Sequence, residues 1–75
     1  MNIFEAIQGM YAIEASVRRK AWASVVYVYP GSKEDPGPWL HYLEDGSEAY
    51  VRYIPTKQDY LSMDWEWLDY EKTMG

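Results

Sequence analysis

Apolar residues recur at Ile3, Phe4, Ile7, Met10 and Tyr11. That is the spacing of one face of an amphipathic helix, so residues 3–14 read as helical. Asn2 suits the N-cap, and Glu5 stands where a capping-box carboxylate reaches back to the cap. Gly9 weakens this helix and points to the close approach of another backbone. The period then changes. Residues 16–19 read as a short strand, followed by a turn around Lys20-Ala21-Trp22-Ala23. Ser24-Val25-Val26-Tyr27-Val28-Tyr29 is rich in β-branched and aromatic side chains and gives the clearest strand signal. Alternation puts Val25, Tyr27 and Tyr29 on one face, Val26 and Val28 on the other.

Pro30-Gly31 closes that strand, and residues 32–38 read as a polar loop holding Pro36 and Pro38. Residues 39–43 and 48–54 flank Asp45-Gly46, a dipeptide that favours a tight hairpin turn, so they pair antiparallel. Pro55 stops the second of them. Thr56 and Asp59 have capping-box spacing, which predicts a short helix over 56–62. Residues 64–70 complete the pattern as a last strand, with Trp65 and Trp67 on one face. The order predicts an α+β fold in one domain, residues 1–75. It has an N-terminal helix, a mainly antiparallel sheet of four to five strands, and a short helix before the last strand.

Composition narrows the picture. A 75-residue chain without cysteine has neither disulfides nor a thiolate zinc site to staple it. His41 is the single histidine, which rules out a multi-histidine metal site. Oligomerisation is the remaining common way to stabilise so small a scaffold. Four Trp and eight Tyr are more than such a core can hold, so some belong at interfaces or in a pocket. A net charge of −5 argues against sequence-independent nucleic-acid binding. No apolar run approaches the roughly 20 residues of a membrane span. The first residues lack the basic segment of a secretory signal, so the expected location is the bacterial cytoplasm. No nucleophile–base pair, phosphate loop or metal-ligand spacing is present, so a non-enzyme without catalytic residues or cofactor is expected.

Three blocks carry a resemblance. The chain opens Met1-Asn2-Ile3-Phe4-Glu5-Ala6, matching Met-Asn-x-x-Glu-Ala. Val17-Arg18-Arg19-Lys20-Ala21-Trp22 matches Val-x-Arg-x-x-Trp. The run from Tyr53-Ile54-Pro55-Thr56 to Asp59-Tyr60-Leu61-Ser62-Met63-Asp64-Trp65-Glu66 supplies an aromatic, a proline, a helix cap and Asp-Trp-Glu. In order and spacing these blocks resemble the second Thoeris anti-defence family of phage proteins. The turn Glu14-Ala15-Ser16 departs from the family's usual Gly and Lys. The resemblance implies a homotetramer in the host bacterial cytoplasm. It would sequester cyclised ADP-ribose signals made by TIR-domain proteins, without cleaving them. Some members also hold cyclic di- or oligonucleotides, and a related branch is linked to inhibition of CRISPR nucleases.

A doubly anionic nucleotide needs cations for its phosphates, an aromatic face for its base and polar groups for its ribose. Arg18, Arg19 and Lys20 form the basic cluster of the chain, and the resemblance turns Arg18 or Arg19 toward a phosphate. Alternation sends the two arginines to opposite faces, so one of them is structural. Trp22 follows in the turn as a stacking surface, set against the ordinary role of a Trp in packing. Tyr53, Asp59 and Asp64 complete the candidate ligand set, with Asp59 equally suited to capping its helix and Asp64 facing sugar or base. His41 reads as an ordinary strand residue. The alternative is an acidic protein-binding inhibitor that imitates DNA or blocks a CRISPR nuclease. Asp59, Asp64, Glu66 and Asp69 suggest it, since no base lies among residues 58–70.

Overall fold

Helix α1 spans Ile3–Ile13 and opens with the capping box that the sequence predicts. The Glu5 amide donates to Asn2 Oδ1 at 2.9 Å, and the Asn2 amide donates to Glu5 Oε1 at 3.1 Å. The helix ends at Glu14, whose φ of 52° is left-handed. The computed structural model describes residues 1–68. After α1 come β1 (Val17–Arg19), β2 (Tyr27–Gly31), β3 (Pro36–Glu44), β4 (Ser47–Arg52), helix α2 (Lys57–Leu61) and β5 (Trp65–Trp67). The strands form one antiparallel sheet in the order β4-β3-β2-β1-β5. This is the α+β architecture that the hydrophobic pattern predicts.

Register assigns the two faces. Val17 pairs with Val28 and Trp67, Val28 with Leu40, and Leu40 with Val51, which makes one apolar row across the sheet. The row faces α1, whose buried Ile3, Ala6 and Met10 join Val17, Val28, Tyr53 and Trp65 in the core. Trp22, Leu40 and Ile7 pack at its margin. The opposite face carries Tyr27, Tyr29, Trp39, His41, Tyr50 and Arg52, by the same pairing. The β3–β4 hairpin turns at Asp45 and Gly46, with φ of 52° and 81°, the two left-handed residues that a tight turn of this hand requires.

Three sequence expectations shift. Residues 24–26 lie outside β2, which begins at Tyr27. They turn instead, with the Val26 amide donating to Ala23 O at 2.9 Å. The expected loop at 32–38 shortens, since β3 already begins at Pro36. Proline is tolerated there because a strand start beside the irregularity at Tyr29/Gly31 does not require its missing N–H. The last strand is Trp65–Trp67, while residues 69 and 70 of its expected span lie outside the described residues. Trp65 and Trp67 do share a face, but only Trp65 is buried.

Gly9 marks a close contact with a side chain, not a backbone. A methyl placed there would overlap the Trp67 indole, whose Nε1 donates to Ala6 O at 3.1 Å. Two effects therefore compete in Gly9→Ala. Helix propensity favours alanine by about 1 kcal/mol. Overpacking against a fixed ring costs about 1–3 kcal/mol. The clash should win, and Gly9→Ala should lower the Tm in a thermal melt. A higher Tm would mean that Trp67 swings away freely.

Candidate functional site

The six predicted site residues divide between the two faces. Arg19, Trp22, Tyr53, Asp59 and Asp64 gather on the core side, and Arg18 projects from the other. The inner group is a closed network. Arg19 Nε donates to Asp64 Oδ1 at 2.9 Å, and Arg19 Nη1 lies 3.5 Å from Asp59 Oδ1. Asp59 Oδ2 accepts from the Tyr53 hydroxyl at 2.8 Å and from the Thr56 amide at 3.0 Å. Asp64 Oδ2 accepts from the Ala21 amide at 3.2 Å. The Trp65 indole donates to Asp59 O at 3.1 Å, and its ring meets Trp22 edge-on with centroids 5.2 Å apart. Trp22 also meets Tyr53 edge-on.

The energetics follow from burial. The Arg19 side chain is 14% exposed and that of Asp59 7%. Charges so placed must be paired, and removing one partner of a buried pair typically costs about 3–5 kcal/mol. The hydrogen bond from Arg19 holds the Asp64 carboxyl below the usual range. The same bond raises the Arg19 guanidinium above its ordinary value. Burial, reinforced by Asp59, pushes the Tyr53 phenol well above its usual value. One cation faces two carboxylates, so the network carries a net negative charge and a phosphate would have to displace a carboxylate to reach Arg19. A hollow of about 410 Å³ opens beside it, bounded by Trp22, Tyr53 and Asp59.

The outer face offers a different chemistry. Two rows of rings cross it. In the first, Tyr27 stacks on His41 at 4.5 Å, and His41 leans on Tyr50 at 5.3 Å. In the second, Tyr29 pairs across the strands with Trp39, and Arg52 lies over the Trp39 ring at 4.5 Å. His41 is buried, between Val25 O at 2.6 Å and Glu48 Oε1 at 3.1 Å, so it is a fixed part of this floor. Arg18 extends the first row. The Val17–Val28 register sets Arg18 beside Tyr27, and its Nε meets Glu66 Oε2 at 3.0 Å.

Tyr29 is common to three hollows. One of about 620 Å³ runs to Tyr11, Glu14, Ser32 and Lys33. A second of about 400 Å³ reaches Asp35, Trp39 and Tyr50, and a third of about 320 Å³ lies over Ser16, Tyr27 and Tyr50. Their sizes fall within the range of small-ligand sites. The loop beneath them is ordered by Asp35, whose amide donates to Ser32 Oγ at 3.1 Å and whose carbonyl accepts from the Trp39 indole at 3.0 Å. Gly31 is required there, at φ 78° and packed against the Asp35 carbonyl.

Of the six expected site residues only Arg18 lies on this face, and Tyr11, Glu14, Tyr29, Ser32 and Lys33, which line its hollow of about 620 Å³, were not among them. The shared side of Tyr27 and Tyr29 is a usable signal. What assembles the rest is the β2–β3 hairpin meeting the end of α1, a contact between distant positions that no local pattern encodes. Among the described residues no group of His, Cys, Asp or Glu is arranged to hold a metal. No helix among them is long and apolar enough to cross a membrane.

Residues 1–68 match the family model Tad2-like, described as the Thoeris anti-defense 2-like domain. No curated protein and no solved structure matches the chain.

The inner network sets an acid limit. The Asp64 pKa is depressed in the fold, so its stabilisation is complete above the unfolded carboxyl value of about 4 and is lost as pH falls through the lower folded value. The Tm should therefore drop steeply below about pH 4, and Asp64→Asn should lower the Tm at pH 7 while flattening that drop. Melts from pH 7 to pH 2 check this. An equally steep acid limb in Asp64→Asn would assign the effect to other carboxylates.

Proposed function

The chain belongs to the Thoeris anti-defense 2-like family, and on that premise we propose that it disarms Thoeris defence by sequestration. It binds a cyclic nucleotide signal, of the cyclised ADP-ribose type or a cyclic di- or oligonucleotide, and holds it intact. Family membership carries this reading, and the chemistry of the outer face supports it. Rings give stacking surfaces, each commonly contributing about 1–3 kcal/mol per base. Arg18 on β1, which would exchange its Glu66 partner for ligand, and Lys33 on the β2–β3 loop flank the rings and supply cations for phosphate. On this reading Arg18 is the arginine that meets ligand, and Arg19 holds the fold. Trp22, Tyr53, Asp59 and Asp64 contribute by shaping the protein beneath the binding face.

We further propose that the active form is a homo-oligomer, a tetramer built from dimers, working in the host cytoplasm. The support is an uncovered apolar patch on the side of the helices. Phe4, Ile54, Leu61 and Met63 are each at least 66% exposed, and Phe4 meets Tyr60 at 6.0 Å. Beside them a hollow of about 350 Å³ between the helices is lined mainly by apolar side chains, including Ile3, Ile7 and Pro55. Large apolar side chains exposed to this degree favour an interaction surface. The acidic-inhibitor alternative draws less support. Asp59 and Asp64 are engaged by Arg19, and Glu66 by Arg18, so much of its acidic surface is neutralised within the fold.

Sequestration has a direct test. Protein is incubated with cyclic ADP-ribose isomers, separated from free nucleotide and then denatured. The nucleotide should be depleted from solution and return unchanged on denaturation. Arg18→Ala should keep its fold by circular dichroism and weaken capture roughly ten- to a hundredfold, the usual range for one charge-assisted contact. Recovery of a degraded product would identify an enzyme, and no depletion would favour a protein target.

Light scattering at micromolar concentration should give a mass well above the 8.8 kDa of one chain. A Phe4→Asp, Leu61→Asp double variant should shift it toward the monomer. A monomeric parent protein would overturn the assembly.

A further inference from the structure

Glu14 occupies a position that suits glycine. Its φ of 52° is left-handed, a conformation that crowds the Cβ of an L-residue, and its amide closes α1 by donating to Met10 O. A side chain is nevertheless present there, exposed, and it lines the hollow of about 620 Å³. Helices commonly close on a left-handed residue, usually glycine, so a glutamate here carries a strain that glycine would not. Lys33 on the β2–β3 loop, Tyr11 and Tyr29 line the same hollow. Neither Glu14 nor Lys33 forms an ion pair among the described residues.

We propose that this hollow is a ribonucleotide subsite in which Glu14 accepts hydrogen bonds from a ribose hydroxyl pair. The inference rests on the sequestration reading and adds the location and the means of sugar recognition. The division of labour follows from charge. A carboxylate repels phosphate but accepts two neighbouring hydroxyls well. The phosphate therefore lies toward Lys33, the cation of the same lining. The phenol rings of Tyr11 and Tyr29 provide the faces where a base stacks. Burial raises both phenols above their ordinary value, so they remain neutral hydrogen-bond donors in the working pH range. Ser32 Oγ accepts from the Asp35 amide, which fixes the loop that forms this part of the wall.

The strain makes the test decisive, because it separates stability from binding. Glu14→Gly relieves the left-handed strain, so the Tm should rise, by roughly 4–8 °C for a domain of this size. In the same variant, affinity for the probes cyclic ADP-ribose and ADP-ribose should fall about ten- to a hundredfold by calorimetry. A purely structural Glu14 would give the first effect without the second. Lys33→Ala, on an exposed loop, should weaken both probes and reduce the salt dependence of binding. The 2′-deoxy analogues should bind the parent protein about tenfold more weakly than the ribose forms, and Glu14→Gly should no longer distinguish them. If the parent binds the probes and both variants bind them equally well, the subsite is overturned while sequestration stands. If the parent binds none of these nucleotides or other cyclic ADP-ribose isomers, sequestration itself fails and the subsite with it.

Discussion

A guanidinium on the inner side of this sheet sets the terms for much of the rest. Arg19 ends a three-residue strand and cannot be buried without counter-charge. Its counter-charges come from elsewhere in the chain, Asp59 from α2 and Asp64 from the approach to β5. Asp59 also caps its own helix and accepts from Tyr53, so one carboxylate couples the helix cap, the end of the hairpin and β1. Strands as short as β1 and β5 have few ladder bonds of their own, and this ion network locks their ends together. Trp65 then fills the space beneath, with its indole N–H committed to Asp59 O.

The same arrangement decides what is left for function. Drawing Asp59 and Asp64 inward takes negative charge away from the opposite face. That face keeps its rings, with His41 locked between Val25 and Glu48 as a rigid floor. Rigid rings beside loop and helix-end polar groups suit capture of a small nucleotide, because little ordering is left to be lost on binding. The core and the ring-bearing face are thus two sides of one sheet, built from alternating residues of the same strands.

Much of the architecture was legible in local chemistry. Asn2 with Glu5 and Thr56 with Asp59 announced both helices, and Asp45-Gly46 placed the hairpin. These signals act within four residues, so a linear reading captures them. The strand expected at residues 24–29 holds from Tyr27 onward, while residues 24–26, equally rich in β-formers, are taken up by the turn that the Val26 amide closes on Ala23 O. Among site residues, alternation correctly separated Arg18 from Arg19, but it could not say which was structural. That depended on carboxylates 40 and 45 positions away. Trp22 read as a stacking surface because it sits in a turn beside cations, yet that turn folds over Trp65 and Tyr53. Glu14, Tyr29 and Lys33 stayed hidden because only the fold brings a helix end against a hairpin tip.

The central claim is that the ring-bearing outer face meets the signal while the Arg19 network stays closed. Backbone amide NMR of the labelled protein, titrated with the signal nucleotide, tests it most directly. The account predicts shift changes concentrated at Glu14, Ser16, Arg18, Tyr29, Ser32 and Lys33, with the amides of Trp22, Asp59 and Asp64 little changed. Shifts centred on Trp22, Tyr53 and Asp59, with the outer strand residues silent, would contradict it and move the site into the hollow beside the inner network.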